Sequence, residues 1–317
     1  MSDACSRREA LRRAAASAAA LLLPTPLAAC GSPPTPGSAG NRRRAGRPPD
    51  ADVRRLADWT AALRGERGGE DAFGRRVIHA GELAAGTPYE PATLESYLRA
   101  GGSPTDVEPL TLSLTRFDCV TLVESCLAVA RVAGGDSAPT WERFGREIER
   151  VRYRGGHRRG YASRLHYFSE WIADGTRRGL VRDVGAELGG AEDTRPLRFM
   201  TEHRGSYPAL ADDAVFREIG AIERRLDAHP RRVVPAKRIP EVTARIETGD
   251  LLAFATEIPG LDVTHSALAY RDGGDVLRVL HAPLSGGVVE ITSATLPEYV
   301  AKIRRATGIL VARPQRG

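Results

Sequence analysis

The sequence predicts an α+β fold in which helices lead and an antiparallel sheet follows. Between residue 51 and about residue 230, apolar residues recur at helical spacing. After Gly249 and Asp250, short β-rich runs alternate with Gly and Asp turns. The chain has 317 residues, of which 42% are hydrophobic, so it can bury a sizeable core and is neither wholly disordered nor fibrous.

The leading helices are predicted from apolar residues that fall on one helical face. These residues are Val53, Leu56, Trp59 and Leu63; Phe73, Val77, Ile78 and Leu83; Trp141, Phe144, Ile148 and Val151; Leu165, Phe168 and Ile172; and Val215, Ile219, Ile222 and Leu226. A further helix is predicted for CVTLVESCLAVARV, which begins at Cys119.

The trailing part is predicted to be a set of sequential antiparallel strands. The strands are LLAFAT, HSALAYR, VLRVLHA and GVVEI, in that order along the chain. TLPEYVAKIRR is then predicted to form a helix capped by its Thr, and GILVARP a last strand. Residues 51–317 show no internal repeat or composition break, so they are expected to form a single domain.

The first 50 residues are typical of an exported, anchored protein. Residues 1–29 contain a basic stretch, an apolar run and small residues, as export signals do, and SRREALR within them resembles a twin-arginine signal. LAAC resembles a bacterial lipobox, which predicts that Cys30 is lipidated and becomes the mature N-terminus. Residues 30–50 are rich in Pro, Gly and Arg and are expected to form a disordered tether. The expected location is a bacterial membrane, with the domain facing the periplasm or the cell exterior.

The charge distribution argues against nucleic-acid binding. The formal net charge is +6, but residues 1–50 alone contain eight Arg against three acidic residues. Little excess charge is therefore left for a basic surface on the folded domain. The sequence has no CxxC, HExxH, GxGxxG, GxxxxGK[ST] or GxSxG pattern, so neither a metal nor a nucleotide cofactor is expected.

Cys119 is the candidate nucleophile. It falls in the first turn of a predicted helix, where backbone amides and the helix dipole are expected to lower the pKa of a thiol. Cys126 lies two turns further along an apolar stripe and is expected to be core. About 10 Å of helix separates the two sulfurs, which excludes a disulfide between them.

Two histidines are candidates for the base and its partner. His265 opens a predicted strand, and His281 ends the next strand, so an antiparallel hairpin can bring both imidazoles to one edge. The order and the separation, with the cysteine first and the histidine 146 residues later, are those of papain-like enzymes.

Several segments together carry a family resemblance: GTPY, FDCVTLVE, GDLLAF, LDVTHSALAY and LHAP, and in addition RLHYFSEWI, FMTEHRGSYPAL and TGILVARP. The first five resemble the NlpC-type cell-wall peptidases, a papain-like superfamily. The last three resemble in particular its N-acetylmuramoyl-L-alanine amidase-like branch. The resemblance implies a papain-like fold with Cys119 as nucleophile, His265 as base and His281 as orienting residue. One departure is Ser266-Ala267-Leu268, where the superfamily usually has a Val-Gly-Ile type run.

The resemblance also implies a reaction, the hydrolysis of the amide bond between N-acetylmuramic acid and L-alanine in peptidoglycan fragments, without a cofactor. Three further residues are candidates for substrate contact, each with a structural alternative. Tyr89 is expected either to face the oxyanion or to lie in the core, Asp118 to contact substrate or to cap the helix, and His166 to line the cleft or to pack. Two alternative functions remain, a stem-peptide endopeptidase that cuts the D-glutamyl to diamino-acid bond and an inactive peptidoglycan-binding lipoprotein.

Overall fold

An antiparallel sheet with helices on both faces forms the frame of the protein. The structure is a computed structural model and describes residues 49–64, 70–283 and 287–317, with the backbone alone for residues 70 and 71. The predicted export signal, Cys30 and the predicted tether up to residue 48 lie outside the described residues. The α+β class predicted from the sequence is confirmed.

The strands of the described residues are β1 (Val181–Asp183), β2 (Ala191–Asp193), β3 (Arg231–Pro235), β4 (Leu251–Thr256), β5 (Val263–Arg271), β6 (Leu277–His281), β7 (Glu290–Ile291) and β8 (Ala306–Pro314). They form one antiparallel sheet with the spatial order β2-β3-β8-β4-β5-β6-β7 and with β1 paired to β8. Strands β4 to β7 follow one another as predicted, whereas the last strand, β8, inserts beside β4 rather than at an edge.

The α-helices of the described residues differ widely in length. They are α1 (Asp50–Leu63), α2 (Glu70–Ala84), α3 (Ser96–Arg99), α4 (Cys119–Gly134), α5 (Trp141–Arg152), α6 (Phe168–Arg177), α7 (Phe199–Glu202), α8 (Asp213–Leu226), α9 (Ile239–Val242) and α10 (Leu296–Lys302). Short 3-10 turns occur at Thr93–Glu95, Arg154–Gly156, Tyr161–Ser163, Arg204–Ser206, Pro208–Ala211, Ala236–Arg238 and Thr243–Arg245. None of the helices that the structure describes is both long enough and apolar enough to cross a membrane.

Helix α4 is the centre of the larger core. Nearly all of its residues are buried, as its mainly apolar sequence requires, and the buried residues include the polar Glu124 and Arg131. It packs between α1, α2 and α5 and against the sheet face that presents Leu251, Ala253 and Leu268. The alternate residues of the same strands, among them Leu252 and Phe254, face the opposite layer, which contains α9 and α10. The start of α4 is thereby held against the middle of the sheet.

Several local features differ from the sequence prediction. Strands β1, β2 and β3 were not expected; RRVVP in β3, for example, has only two consecutive apolar β-formers. Strand β5 begins at Val263, so His265 is its third residue and does not open the strand as predicted. Helix α6 begins at Phe168, so Leu165 precedes it, since Arg164 forms a β-bridge with Tyr153. Only two residues of the predicted strand GVVEI are in strand conformation.

Candidate active site

Cys119 lies at the first position of α4, and a capping box fixes the backbone at this helix start. The Asp118 carboxylate accepts a hydrogen bond from the Thr121 amide at 2.8 Å, and the Thr121 hydroxyl accepts one from the Asp118 amide at 2.9 Å. This reciprocal capping box satisfies two of the amides that a helix start leaves free. Capping, one of the two alternatives for Asp118, is therefore present.

The environment of the Cys119 sulfur favours the neutral thiol in the resting protein. Burial, and secondly the Asp118 charge, raise its pKa to about 11, although the amide and the hydroxyl of Ser266 and the amide of Cys119 itself act in the opposite direction. The helix start thus lowers the pKa of the Cys119 thiol as expected, but burial and the Asp118 charge raise it by more. Burial raises the pKa of Cys126 as well, and this residue lies fully in the core.

His265 and His281 lie side by side on adjacent strands. Nε2 of His265 is 2.8 Å from Nδ1 of His281, and the two rings meet nearly edge to face. Burial and the neighbouring His281 lower the pKa of His265 to about 3, and burial lowers the pKa of His281 to about 4. Both rings are therefore neutral at pH 7, so one nitrogen of this contact donates and the other accepts.

Three further side chains lie against the histidine pair. The Tyr299 hydroxyl on α10 is 3.2 Å from Nδ1 of His281. On the other side of the same ring, the Glu290 carboxylate on β7 is 3.7 Å from Nε2. Phe254 stacks on His265, with 5.7 Å between the ring centroids and 12° between the planes. The pair is thus held on both flanks by groups of the sheet and α10.

The start of β5 is fixed against two helices. The two oxygens of buried Asp262 accept hydrogen bonds from the Ser169 amide in α6 and from the Val263 amide, each at 2.8 Å. Gly260, just upstream, has φ +74°, and a Cβ there would lie 2.8 Å from the Phe199 amide nitrogen. Both contacts fix the backbone that leads to His265.

Cys119 and His265 open into one cavity of about 150 Å³. All three predicted substrate-contact residues, Tyr89, Asp118 and His166, also line it, whereas His281 lies behind His265 and does not. Most of the other lining residues are apolar or aromatic: Ala92, Leu94, Val120, Leu165, Tyr167, Phe168, Phe199, Met200, Tyr207, Leu261 and Val263. The structure therefore brings together the residues that the sequence analysis selected from segments far apart in the chain.

Tyr89 and His166 each offer a defined hydrogen-bonding atom to the cavity. Burial raises the pKa of Tyr89, as does the Asp118 charge, so its hydroxyl keeps its proton and can donate. Nε2 of His166 is 3.0 Å from the Tyr161 carbonyl oxygen, which can only accept. Since burial holds the pKa of His166 well below its usual value, the ring is neutral and Nδ1 is left as an acceptor.

A buried network of ion pairs forms one wall of the cavity. Arg152 contacts Glu124 at 2.7 Å, and Arg164 contacts Glu95 at 3.1 Å and Glu108 at 3.4 Å. The sequence analysis missed this network, together with Asp262, Ser266, Tyr299 and Glu290. Of these residues, only Ser266 gave a signal in the sequence, as a departure from the usual superfamily run. The ion pairs gave none, because a charged residue in a sequence does not show which partner it meets.

A thiol and an imidazole that open into one cavity, with a second imidazole hydrogen-bonded behind the first, are groups of the kind that hydrolases use for acyl transfer. The sequence matches the AmiA-like family, described as N-acetylmuramoyl-L-alanine amidase-like, over residues 79–309. This chain belongs to that family. No curated protein matches the sequence.

Solved structures agree with the family assignment. An N-acetylmuramoyl-L-alanine amidase from Bacteroides uniformis is 28% identical with a TM-score of 0.69, and the alignment covers 77% of this chain and 99% of that one. A Bacteroides fragilis protein whose description proposes a xylanase is 32% identical with a TM-score of 0.67, covering 74% and 99%. A Legionella pneumophila protein, 17% identical with a TM-score of 0.59 over 84% and 94%, shares the fold.

Proposed function

We propose that this protein is a cysteine amidase with a papain-like arrangement of its active centre, and that it cleaves the bond between N-acetylmuramic acid and L-alanine in peptidoglycan fragments. The observation that carries the proposal is the shared cavity of Cys119 and His265, with His281 hydrogen-bonded behind the latter. Membership of the amidase-like family supports the choice of bond.

The proton chemistry follows from the contacts of His265. Because Nε2 faces His281, Nδ1 is the nitrogen left to accept the thiol proton. With a thiol pKa of about 11 and an imidazole pKa of about 3, a standing ion pair is disfavoured. The proton therefore moves as the sulfur attacks the carbonyl carbon, and the imidazolium exists only while the substrate oxygen carries the opposite charge.

The bond changes are those of acyl transfer. Sulfur of Cys119 bonds to the lactyl carbonyl carbon of the muramic acid, and the oxyanion is stabilised by the Cys119 amide at the helix start and by the Tyr89 hydroxyl. The C–N bond breaks, and the L-alanine nitrogen takes the proton from His265. Water, deprotonated by the same imidazole, then hydrolyses the thioester and regenerates the thiol. No cofactor is needed.

The carboxylates of the cavity support amide rather than glycosidic chemistry. A glycosidase needs two carboxyl groups that face the same bond. Among the described residues that line the cavity, the carboxylates are all engaged: Glu95 and Glu124 pair with arginines, and Asp118 and Asp262 accept from backbone amides. The xylanase description of the Bacteroides fragilis relative is therefore not carried over to this chain.

We also propose that the chain is exported, is lipidated at Cys30 and holds its catalytic domain, residues 51–317, at a membrane through the tether. This proposal comes from the sequence of residues 1–50 alone. Intact-mass analysis of the protein that partitions into detergent tests it, and a cytosolic chain that still begins at Met1 would contradict it.

The decisive experiment for the reaction is mass spectrometry of purified muropeptides digested by the full-length chain in detergent. We expect a peptide with a free L-alanine amine and a muramyl sugar without peptide. A sugar that keeps L-alanine and loses the rest of its peptide would instead indicate the endopeptidase, and intact muropeptides would indicate a binding protein. Cys119→Ala should abolish this cleavage, and Cys126→Ala, which replaces the other cysteine of the same helix, is the matched control.

A further inference from the structure

Nε2 of His281 is a buried polar atom without a hydrogen-bond partner in the described part of the chain. The side chain is only 2% exposed, so bulk water has little access to this nitrogen. The acceptor that faces it is the Glu290 carboxylate at 3.7 Å. His281 and Glu290 are direct cross-strand partners in the β6–β7 pair, so the strand register itself holds them opposite each other.

We propose that Glu290 is a positioning residue, which holds the proton of His281 on Nε2 and thereby leaves Nδ1 free to accept a hydrogen bond from His265. This proposal rests on the proposed function, in which His265 must present an unprotonated Nδ1 to the thiol. The proposal adds Glu290 to the residues that serve the reaction, although Glu290 lies on the edge strand β7 and does not line the cavity.

The argument is one of tautomers. A neutral His265 with a free Nδ1 carries its proton on Nε2, and this N–H can donate only if Nδ1 of His281 is unprotonated. The His281 proton must then be on Nε2, directed at Glu290. In the opposite tautomer, Nδ1–H of His281 donates to His265 or to the Tyr299 oxygen, and His265 carries its proton on the nitrogen that should act as base.

A negative charge at Glu290 discriminates between the two tautomers. In the productive tautomer the carboxylate faces an N–H, whereas in the other it faces the lone pair of a ring nitrogen. The interaction is attractive in the first case and repulsive in the second. Tyr299 alone makes no such choice, because a hydroxyl can donate to Nδ1 or accept from it.

The test is the ring-nitrogen spectrum of full-length protein labelled with ¹⁵N-histidine, in which protonated and unprotonated nitrogens have different shifts. The His281 signals are assigned by their loss in His281→Gln. We expect the wild type to be protonated on Nε2 and unprotonated on Nδ1, and we expect Glu290→Gln and Glu290→Ala to populate the opposite tautomer. Glu290→Asp, which keeps the charge, should restore the wild-type pattern at least in part.

The kinetic readout on muropeptides accompanies the spectrum. Removing the charge should lower kcat about ten-fold with KM unchanged, since the imidazole pair and not substrate binding is affected. Glu192→Ala is the matched control, because Glu192 also lies on a strand, is half-exposed and pairs across it with Arg232. It should leave the spectrum and kcat unchanged.

Unchanged His281 tautomers in both Glu290→Gln and Glu290→Ala would overturn the proposal, whatever the activity. If the Glu290 variants show the expected change of tautomer but the wild type does not cleave muropeptides, the proposed amidase function is wrong and the positioning role of Glu290 stands. If Glu290→Ala fails to fold, the isosteric Glu290→Gln decides.

Discussion

Two buried cysteines on one helix differ in what surrounds the sulfur. Cys119 opens into the cavity, and the amide and hydroxyl of Ser266 both lower the pKa of its thiol. At Cys126, burial alone acts, and it raises the pKa of the thiol. The thiolate is the reactive form, and its access and stabilisation set the rate of alkylation.

Iodoacetamide should therefore modify Cys119 faster than Cys126 in the folded protein, with Cys126 labelled only after unfolding. Peptide mass spectrometry after timed quenching measures both rates. Cys119→Ala should lower turnover by about 10³-fold or more, while Cys126→Ala keeps turnover and loses stability through the cavity it leaves. Equal labelling of the two thiols, or an active Cys119→Ala protein, would refute the assignment.

The two histidines should respond differently to the same replacement. A base must titrate, so His265→Asn should lower kcat by about 10²- to 10⁴-fold. An orienting residue needs only to accept a hydrogen bond, so His281→Asn or His281→Gln should leave measurable turnover. Steady-state kinetics on muropeptides, with circular dichroism to check folding, compares the variants. If His265→Asn proved the more active protein, the two roles would have to be exchanged.

At the scale of the element, the start of α4 combines a cap with an opposing charge. Asp118 stabilises the helix by accepting from the Thr121 amide, yet its charge raises the pKa of the adjacent Cys119. Asn caps helices about as well as Asp but carries no charge. The two effects of Asp118 can therefore be separated by substitution.

Asp118→Asn should keep the free energy of unfolding within about 0.5 kcal/mol, whereas Asp118→Ala should lose about 1 kcal/mol of it. Both substitutions should move the pKa of Cys119 downward from about 11, because both remove the neighbouring charge. Urea unfolding and the pH dependence of thiol alkylation measure the two quantities. An unchanged thiol pKa in both variants would mean that the Asp118 charge does not act on the sulfur.

The sequence predicted the elements whose signals are local. The helix at Cys119, the hairpin that carries His265 and His281, and the Thr-capped helix near the C-terminus follow from periodicity and capping. The insertion of β8 beside β4 and the strand β3 did not, because strand order depends on which edges meet in space. For the same reason Glu290 was missed, since only the β6–β7 register places it opposite His281.

At the scale of the whole molecule, the buried histidines link stability to pH. Burial lowers the pKa of His265, His281 and His166, so the folded protein resists protonation that the unfolded chain accepts. Well above pH 6.5 these rings are neutral in both states, and the shifts have no effect on stability. As the pH falls below 6.5, the unfolded chain binds protons that the folded protein does not, and the free energy of unfolding decreases.

His281 gives the clearest case, since its pKa is about 4 in the folded protein. Between pH 7 and pH 4.5, replacing it with Gln should reduce the loss of unfolding free energy by about 2 kcal/mol relative to the wild type. Urea titrations at both pH values measure this difference, and comparison with the wild type removes the contribution of the carboxylates. His229→Gln is the matched control, because it makes the same replacement at an exposed histidine. A wild type and a His281→Gln variant that lose stability equally on acidification would mean that His281 is protonated as readily in the folded protein as in the unfolded chain, which a neutral, buried orienting residue cannot be.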